Sequence, residues 1–318
     1  MVDGGRLRVV FFGTPAFAVP TLTALLESSH DVVAVVTQPD RPKGRGQKTT
    51  ASPVKVEAIA AGVPILQPES VRDAAFSSVL SAVNADIGIV AAYGQILTQA
   101  LLEMPRMGMV NVHASILPRY RGAAPVHRAI INGDRETGIT IMRIVRALDA
   151  GPMLAVVRRP IVLDETSDEV ERDLAALGAR LLLSTLDGIV DGRADEAPQN
   201  DSDASYAPRL TKDDGRIDWA WPAVRIHNLI RGLHPWPHAF TFLGSQRFII
   251  HRSHALGDPA GAPPGTVLDA AGAALRVATG DGAIEVLEIQ TEGKRPMPVR
   301  EFLAGHPLAA GALLTASA

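Results

Sequence analysis

Three polar side chains in the middle of the chain have the types and spacing of a catalytic group. Asn111 and His113 are two residues apart in the run Met-Val-Asn-Val-His, and side chains two apart on a strand project from the same face. Taken alone, the pair could equally be the polar end of a strand, with both side chains hydrogen-bonded to neighbouring loops. Asp149, in the polar turn Leu-Asp-Ala-Gly-Pro, adds a carboxylate that can orient an imidazole. Together they predict a site for acid–base chemistry.

The elements that must position these residues predict a doubly wound, Rossmann-like parallel α/β sheet. Short β-branched runs alternate with amphipathic stretches, which is typical of this fold. The predicted strands are 7–12, 31–37, 85–91, 109–113 and 139–145, and the predicted helices are 15–26, 54–61, 124–132 and 168–190. Asn111 and His113 then lie at the carboxyl end of a strand, where open α/β sheets bind ligands.

The composition changes near the end of this pattern and predicts a second domain. Residues 193–208 are polar and non-periodic, which is typical of a linker. Short runs at 247–252, 265–268, 274–278 and 283–289 follow, separated by Gly and Pro turns, after a predicted helix at 222–232. They predict a small β-barrel of OB-like type. The predicted division is 1–192, a linker at 193–208, and 209–318.

Several functional classes are excluded by composition and by missing motifs. The chain has 318 residues, a formal net charge of −3 and no cysteine, which excludes disulfide scaffolds, cysteine-ligated metals and cysteine nucleophiles. Neither a G-x-G-x-x-G fingerprint nor a P-loop occurs, and no convincing metal cluster is apparent. With no apolar run long enough to span a bilayer and no secretory signal pattern at the start, the sequence predicts a cytoplasmic protein.

One basic segment could contact phosphate groups. Residues 38–48, QPDRPKGRGQK, carry four basic side chains against Asp40; these are Arg41, Lys43, Arg45 and Lys48. The segment follows the predicted strand 31–37, which places it at the same sheet edge as the candidate site. A basic loop beside a reaction centre could bind a nucleic-acid backbone. The alternative is a solvated surface loop.

A long central motif resembles the folate-dependent formyltransferases, in particular those that act on methionyl-tRNA. It is the run NVHASILPRYRGAAPVHRAIINGDRETGIT at 111–140, followed by LDAG. The opening FGTPAFAVPTLTALL, the basic segment, AAYGQIL, and the later RIDW and HPWP extend the likeness over nearly the whole chain. The resemblance implies formyl transfer from 10-formyltetrahydrofolate to the α-amino group of methionyl-initiator tRNA.

The resemblance also assigns roles to individual residues. It implies that Asn111, His113 and Asp149 are catalytic and that the basic segment reaches the acceptor stem of the tRNA. The residues that it places at the reduced folate are Ser115, Ile116, Leu117, Pro118, Tyr93 and Gln95. The chain departs from the family pattern at Ala114, where glycine is frequent and a positive φ would strain an alanine.

The chemistry of formyl transfer suits these side chains. The reaction passes through a tetrahedral oxyanion, to which Asn111 and His113 would donate hydrogen bonds, while Asp149 orients the imidazole and takes part in proton transfer. No metal is required, and we expect a monomer. Two alternatives remain: a formyltransferase acting on an amino-sugar nucleotide without RNA, and a non-catalytic RNA-binding protein. The second leaves the three polar residues unexplained.

Overall fold

The first part of the chain alternates strands and helices. The structure is a computed structural model that describes residues 5–43, 48–258 and 261–318. In chain order the elements up to residue 122 are β1 (Arg8–Gly13), α1 (Val19–Glu27), β2 (Asp31–Val36), β3 (Arg41–Lys43), β4 (Lys48–Thr50), α2 (Pro53–Ala60), β5 (Ile65–Leu66), α3 (Ala74–Val83), β6 (Ile87–Ala91), α4 (Gln99–Leu102), β7 (Met109–His113) and β8 (Arg121–Gly122).

The second part begins with a mixed stretch and then becomes rich in strands. Its elements are α5 (Pro125–Ile131), β9 (Glu136–Arg143), β10 (Met153–Pro160), α6 (Ser167–Val190), β11 (Tyr206–Ala207), α7 (Ala223–Gly232), β12 (Ala239–Leu243), β13 (Gln246–Leu256), β14 (Val267–Ala271), β15 (Ala274–Ala278), β16 (Ala283–Thr291), β17 (Met297–Pro298) and α8 (Val299–Gly305). Among the described residues, no helix is long and apolar enough to cross a membrane.

A seven-stranded sheet in the order β10-β9-β7-β6-β1-β2-β5 confirms the predicted Rossmann-like fold. Strands β5, β2, β1, β6 and β7 pair in parallel. Their order reverses between β1 and β6, which is the switch point where such sheets bind ligands. Strand β9 pairs with β7 in the antiparallel direction, so the sheet is mixed at this side. Its central strands β1 and β6 are buried almost throughout, as expected for strands covered on both faces.

The local sequence explains where the first helices begin and end. Ser52 precedes α2, and its side-chain oxygen accepts a hydrogen bond from the Lys55 N–H at 3.1 Å, with a proline at the first position of the helix. Asp73 caps α3 in the same way through the Ala75 N–H. Asn84 ends that helix with φ of 52°. These are the residue types preferred at helix ends.

Contacts divide the chain into two compact units. The first contains the residues up to Gly122, Thr137–Arg159 and Glu171–Tyr206. The second contains Ala123–Glu136, Pro160–Val170 and Ala207–Ala318. Each unit therefore draws on segments that are separated in the sequence.

The second unit contains a closed antiparallel sheet, which confirms the predicted barrel-like architecture. Its strands lie in the order β12-β13-β16-β15-β14, with β17 paired to β16. Residues near 313–315 bridge both edges: Thr315 exchanges backbone hydrogen bonds of 2.9 Å with Phe242 on β12, and Leu314 donates to the Gly265 carbonyl beside β14. Trp219 lies inside and donates its indole N–H to Thr241 at 2.9 Å. The segment thus joins the two edge strands into a barrel.

Candidate active site

Strand β7 presents Asn111 and His113 beside each other on one face. In the sheet, Asn111 lies opposite Val90 of β6 and Met142 of β9, and His113 lies opposite Thr140 of β9. His113 is 5% exposed, whereas Asn111 is half-buried. Within the part of the chain that the structure describes, no group hydrogen-bonds to the Asn111 side chain. Its amide is therefore available to a ligand.

The two ring nitrogens of His113 face different partners. Nε2 lies 3.0 Å from the backbone carbonyl oxygen of Tyr120. Because a carbonyl only accepts, Nε2 carries the proton in this hydrogen bond. Nδ1 faces the Asp149 carboxylate, with 3.8 Å between Nδ1 and Oδ2. The sequence-predicted trio therefore includes one imidazole–carboxylate pair in which Nδ1 remains free to interact with a ligand.

Asp149 is held in position by its backbone and by a neighbouring loop. Its φ of 47° lies in the left-handed region, where aspartate and asparagine are tolerated better than most residues. The Gly122 N–H donates to Oδ2 over 2.8 Å. At Gly151, a Cβ would lie 1.9 Å from the Arg143 carbonyl oxygen, so only glycine fits there. The turn thus fixes the direction of the carboxylate.

A hydrogen-bonded chain from the region around residue 200 supports this turn. The Gln199 amide donates to the carbonyl oxygens of Asp149 and Gly151, each at 2.8 Å. Its oxygen accepts from the Arg121 guanidinium at 2.8 and 3.0 Å, and Arg121 also pairs with Asp201 at 2.7 Å. Arg121 is 4% exposed, so it acts as a structural support for the loop. Sequence reasoning missed Gln199 because it lies in the predicted linker, 50 positions from Asp149.

The segment predicted to contact folate is tied to strand β9. Thr140 donates from its hydroxyl to the Ser115 carbonyl at 2.7 Å and accepts from the Leu117 N–H at 3.1 Å. Ser115 and Leu117 are buried, while Ile116 and Pro118 are half-buried. Ala114 is not among the positive-φ residues of the described chain, so its departure from glycine adds no backbone strain.

Tyr93 and Gln95 follow strand β6 at the switch point of the sheet. The carbonyl oxygen of Tyr93 accepts hydrogen bonds from Thr14 at 3.0 Å and Gln38 at 3.3 Å. The Tyr93 ring is 2% exposed and makes an edge contact with Phe12. Gln95 accepts from the Val71 N–H at 3.0 Å. Both residues therefore connect the loops at the carboxyl ends of the central strands.

Replacing Tyr93 by phenylalanine is expected to raise the free energy of unfolding by about 1 kcal/mol, because an unpaired buried hydroxyl is lost. That hydroxyl has no hydrogen-bond partner among the described residues, and burial raises its pKa to about 12. Urea denaturation at pH 7 measures the change. Tyr206, which is 65% exposed, provides a control: Tyr206→Phe should leave stability unchanged. A destabilised Tyr93→Phe protein would contradict the expectation, and a weakened folate affinity would show that the hydroxyl contacts folate.

The basic segment forms a short hairpin in the described residues. Strand β3 pairs with β4 in the antiparallel direction, and Arg41 is exposed. Arg45 lies outside the described residues, and the side chains of Lys43 and Lys48 are not described. At the base of the hairpin, Asp40 accepts from Lys55 at 2.5 Å and Gln67 at 2.9 Å. These contacts hold the pKa of Asp40 below its ordinary value, so its charge is compensated by Lys55.

Two family models match the chain over most of its length. The formyl transferase model matches residues 7–186, and the model for the formyl transferase C-terminal domain matches residues 209–307. The chain is 49% identical to the methionyl-tRNA formyltransferase of Trichlorobacter lovleyi over 96% of both proteins. It is 48% identical to that of Sorangium cellulosum, over 97% of this chain and 99% of the relative.

Several solved structures have a similar fold. A sugar 3N-formyl transferase crystallised with dTDP and 5-N-formyl-THF aligns with a TM-score of 0.66 at 19% identity, over 91% of this chain and 99% of that one. A glycinamide ribonucleotide transformylase from Symbiobacterium toebii aligns with a TM-score of 0.52 at 19% identity, over 62% of this chain and 95% of that one. These neighbours share the fold. The two family models and the relatives at 48–49% identity confirm the resemblance seen in the sequence. The chain belongs to the formyl transferase family.

Proposed function

We propose that this chain transfers a formyl group from 10-formyltetrahydrofolate to the α-amino group of methionyl-initiator tRNA. The observation that carries the proposal is the near-complete alignment with two methionyl-tRNA formyltransferases at 48–49% identity. Alignments over 96–97% of the chain span both the sheet and the C-terminal unit. The sugar-nucleotide enzymes of the same fold are below 20% identical, so they support the architecture and leave the acceptor open.

The proposed step needs stabilisation of an oxyanion more than removal of a proton. An α-amine with a pKa of about 7.7–8.0 is partly neutral at pH 7 and can attack the formyl carbon. The free Asn111 amide would donate one hydrogen bond to the developing oxyanion. His113 already carries a proton on Nε2 for the Tyr120 carbonyl, so it would donate the second hydrogen bond from Nδ1 in its doubly protonated form. One such donor contributes about 3 kcal/mol to the transition state.

Asp149 would serve this step in two ways. Its carboxylate stabilises a proton on His113 Nδ1, from which it is separated by 3.8 Å. It would also accept, directly or through one water, the proton that the attacking amine loses. When the oxyanion collapses, the bond between the formyl carbon and N10 breaks, and this proton passes to N10 as tetrahydrofolate leaves. The transfer as proposed uses side chains alone and routes no step through a metal.

The remaining predicted residues would bind the two substrates. We propose that residues 115–118, Tyr93 and Gln95 contact the reduced folate, whose donor nitrogen must reach Asn111. The four basic residues of the hairpin segment and the domain formed by 209–318 would bind the tRNA. We propose that an enzyme with this acceptor works in the cytoplasm, and we expect it to act as a monomer.

A direct assay distinguishes the proposed acceptor from its alternatives. The full chain is incubated with 10-formyltetrahydrofolate and charged initiator tRNA, and formylmethionine is measured after the ester is hydrolysed. We expect formylation of the tRNA and none of a dTDP-amino sugar. Formylation of the sugar nucleotide alone would reject the proposal, and RNA binding without any transfer would favour the non-catalytic alternative.

Changing the four basic residues of the hairpin segment to alanine is expected to weaken tRNA binding and reduce its salt dependence. The changed residues are Arg41, Lys43, Arg45 and Lys48. Each lost phosphate contact should lower the magnitude of the log–log salt slope by about 0.7–0.9. If two of the four contact phosphate, the slope should change by between about one and two units. A tRNA titration at several salt concentrations measures this slope.

A charge-matched variant controls for the general loss of positive charge. Four exposed arginines elsewhere in the first unit are changed to alanine, namely Arg72, Arg106, Arg180 and Arg193. This control should keep the salt slope nearly unchanged, and folate affinity should be the same in both variants. Equal slopes in the hairpin variant and the unmodified chain would indicate a solvated surface loop and would strengthen the sugar-nucleotide alternative.

A further inference from the structure

Three histidines of the second unit converge at one place. His234 and His238 lie in the connection between α7 and β12, and His251 lies on β13. Each offers a ring nitrogen, and the three nitrogens lie within 4.8 Å of one another. The ring centroids of His238 and His251 are 4.3 Å apart, and His234 lies 5.4 and 6.1 Å from them. Imidazoles at such spacing suit a transition-metal ion.

Two of these rings bury a nitrogen that no described residue satisfies. Nδ1 of His234 and Nδ1 of His238 are inaccessible to solvent and have no hydrogen-bond partner among the residues described. A buried polar atom without a partner is costly, and such atoms are rare in folded proteins. Two of them in one cluster indicate a shared ligand that accepts lone pairs. A metal cation is such a ligand.

The third ring is oriented as a metal-binding histidine would be. The Gln290 amide donates from its nitrogen to the Lys294 carbonyl at 2.7 Å, which fixes the amide orientation. Its oxygen therefore accepts from His251 Nε2 at 2.8 Å. The lone pair of His251 is then on Nδ1. Histidines that bind a metal through one ring nitrogen typically donate a hydrogen bond from the other, which fixes the tautomer in this way.

The lone pair of His234 is oriented by a neighbouring carboxylate. Asp168 lies 3.8 Å from Nε2 of His234. A carboxylate favours a proton on the ring nitrogen that faces it, which leaves the lone pair of His234 on the buried Nδ1.

We propose that His234, His238 and His251 bind one Zn²⁺ ion, with a fourth position open to water. Zinc binds imidazole nitrogen at about 2.0–2.1 Å in tetrahedral geometry, so the three nitrogens move closer together on binding. The ion would tie the connection at 234–238 to strand β13 within the barrel. The cluster is not apparent in the sequence, because four and then thirteen positions separate the three histidines, across a strand and a turn.

Zinc binding to the tag-free full chain tests the proposal. The protein is first dialysed against a chelator, and Zn²⁺ is then titrated in competition with a chromophoric chelator. We expect one Zn²⁺ per chain with a Kd below about 1 µM. Co²⁺ in its place should give the visible absorption of a tetrahedral site. The absence of stoichiometric binding of either ion would overturn the proposal.

Matched variants locate the ion. His238→Ala should weaken Zn²⁺ binding by at least about 100-fold. Removing a ligand lowers the metal affinity at least as much as removing a residue that only supports a ligand, which lowers it by about 10- to 100-fold. His254→Ala, on the same strand as His251 and 48% exposed, should bind Zn²⁺ as the unmodified chain does. Gln290→Ala keeps all three ligands and should weaken binding by about 10- to 100-fold. Circular dichroism verifies folding, and unchanged binding by a folded His238→Ala protein would refute the assignment.

Discussion

Asn111→Ala is expected to lower kcat by about 10²–10³ while folate and tRNA affinities stay nearly unchanged. The Asn111 amide has no partner in the described structure, so its removal leaves no buried group unpaired and costs little stability. What is lost is one donor to the oxyanion, an interaction made only in the transition state. Single-turnover measurements with saturating folate and tRNA give the rate of the chemical step directly.

A second substitution at the same position separates the donor from the shape of the side chain. Asn111→Asp keeps nearly the same volume but replaces the N–H donor by an acceptor, so it should be as impaired as the alanine variant. Binding of both substrates, measured at equilibrium, serves as the control. A kcat equal to that of the unmodified chain in either variant would remove Asn111 from the proposed mechanism.

Asp149→Asn is expected to reduce kcat by about 10²–10⁴, the range of positioned acid–base groups. Asparagine is the appropriate replacement because it tolerates the φ of 47° at this position. In the unmodified chain the Gly122 N–H lies 2.8 Å from Oδ2 of Asp149. The side-chain oxygen of the asparagine can still accept this hydrogen bond. The variant therefore removes mainly the charge beside His113. Thermal unfolding and turnover per folded molecule are measured together.

Two outcomes distinguish a catalytic carboxylate from a turn residue. A severe loss of turnover at an unchanged melting temperature supports the role proposed for Asp149. A lower melting temperature with intact turnover per folded molecule would assign it to the turn alone. Asp195→Asn provides a control, since Asp195 is exposed and takes no part in the contacts that position Asp149.

The sequence was informative where a signal is local. Strand Met109–His113 has the predicted bounds, because alternating Val and polar residues define both the strand and the shared face of Asn111 and His113. The central strands are continuous apolar runs and were predicted within one or two residues. Strand β10 was missed because its residues alternate between half-buried and exposed positions and include Arg158 and Arg159, so no apolar run marks it.

Features that depend on contacts distant in sequence could not be predicted. The support of Asp149 by Gln199 joins residues 50 positions apart, and neither residue type signals the pairing. The antiparallel direction of β9 depends on the path of the chain through α5, whose contacts assign it to the second unit. Periodicity identifies an element, but it contains no information on which distant element will pack against it.

The closure of the barrel by residues near 313–315 has a consequence for biosynthesis. Strand β12 is made well before this segment, and until Thr315 pairs with Phe242 its edge carries unsatisfied backbone groups. Open edges of this kind recruit strands from other chains. On the ribosome, the second unit must therefore wait with one edge open until residue 315 has left the exit tunnel. In that interval the open edge of β12 can pair with strands of other chains, so aggregation is favoured before the barrel closes.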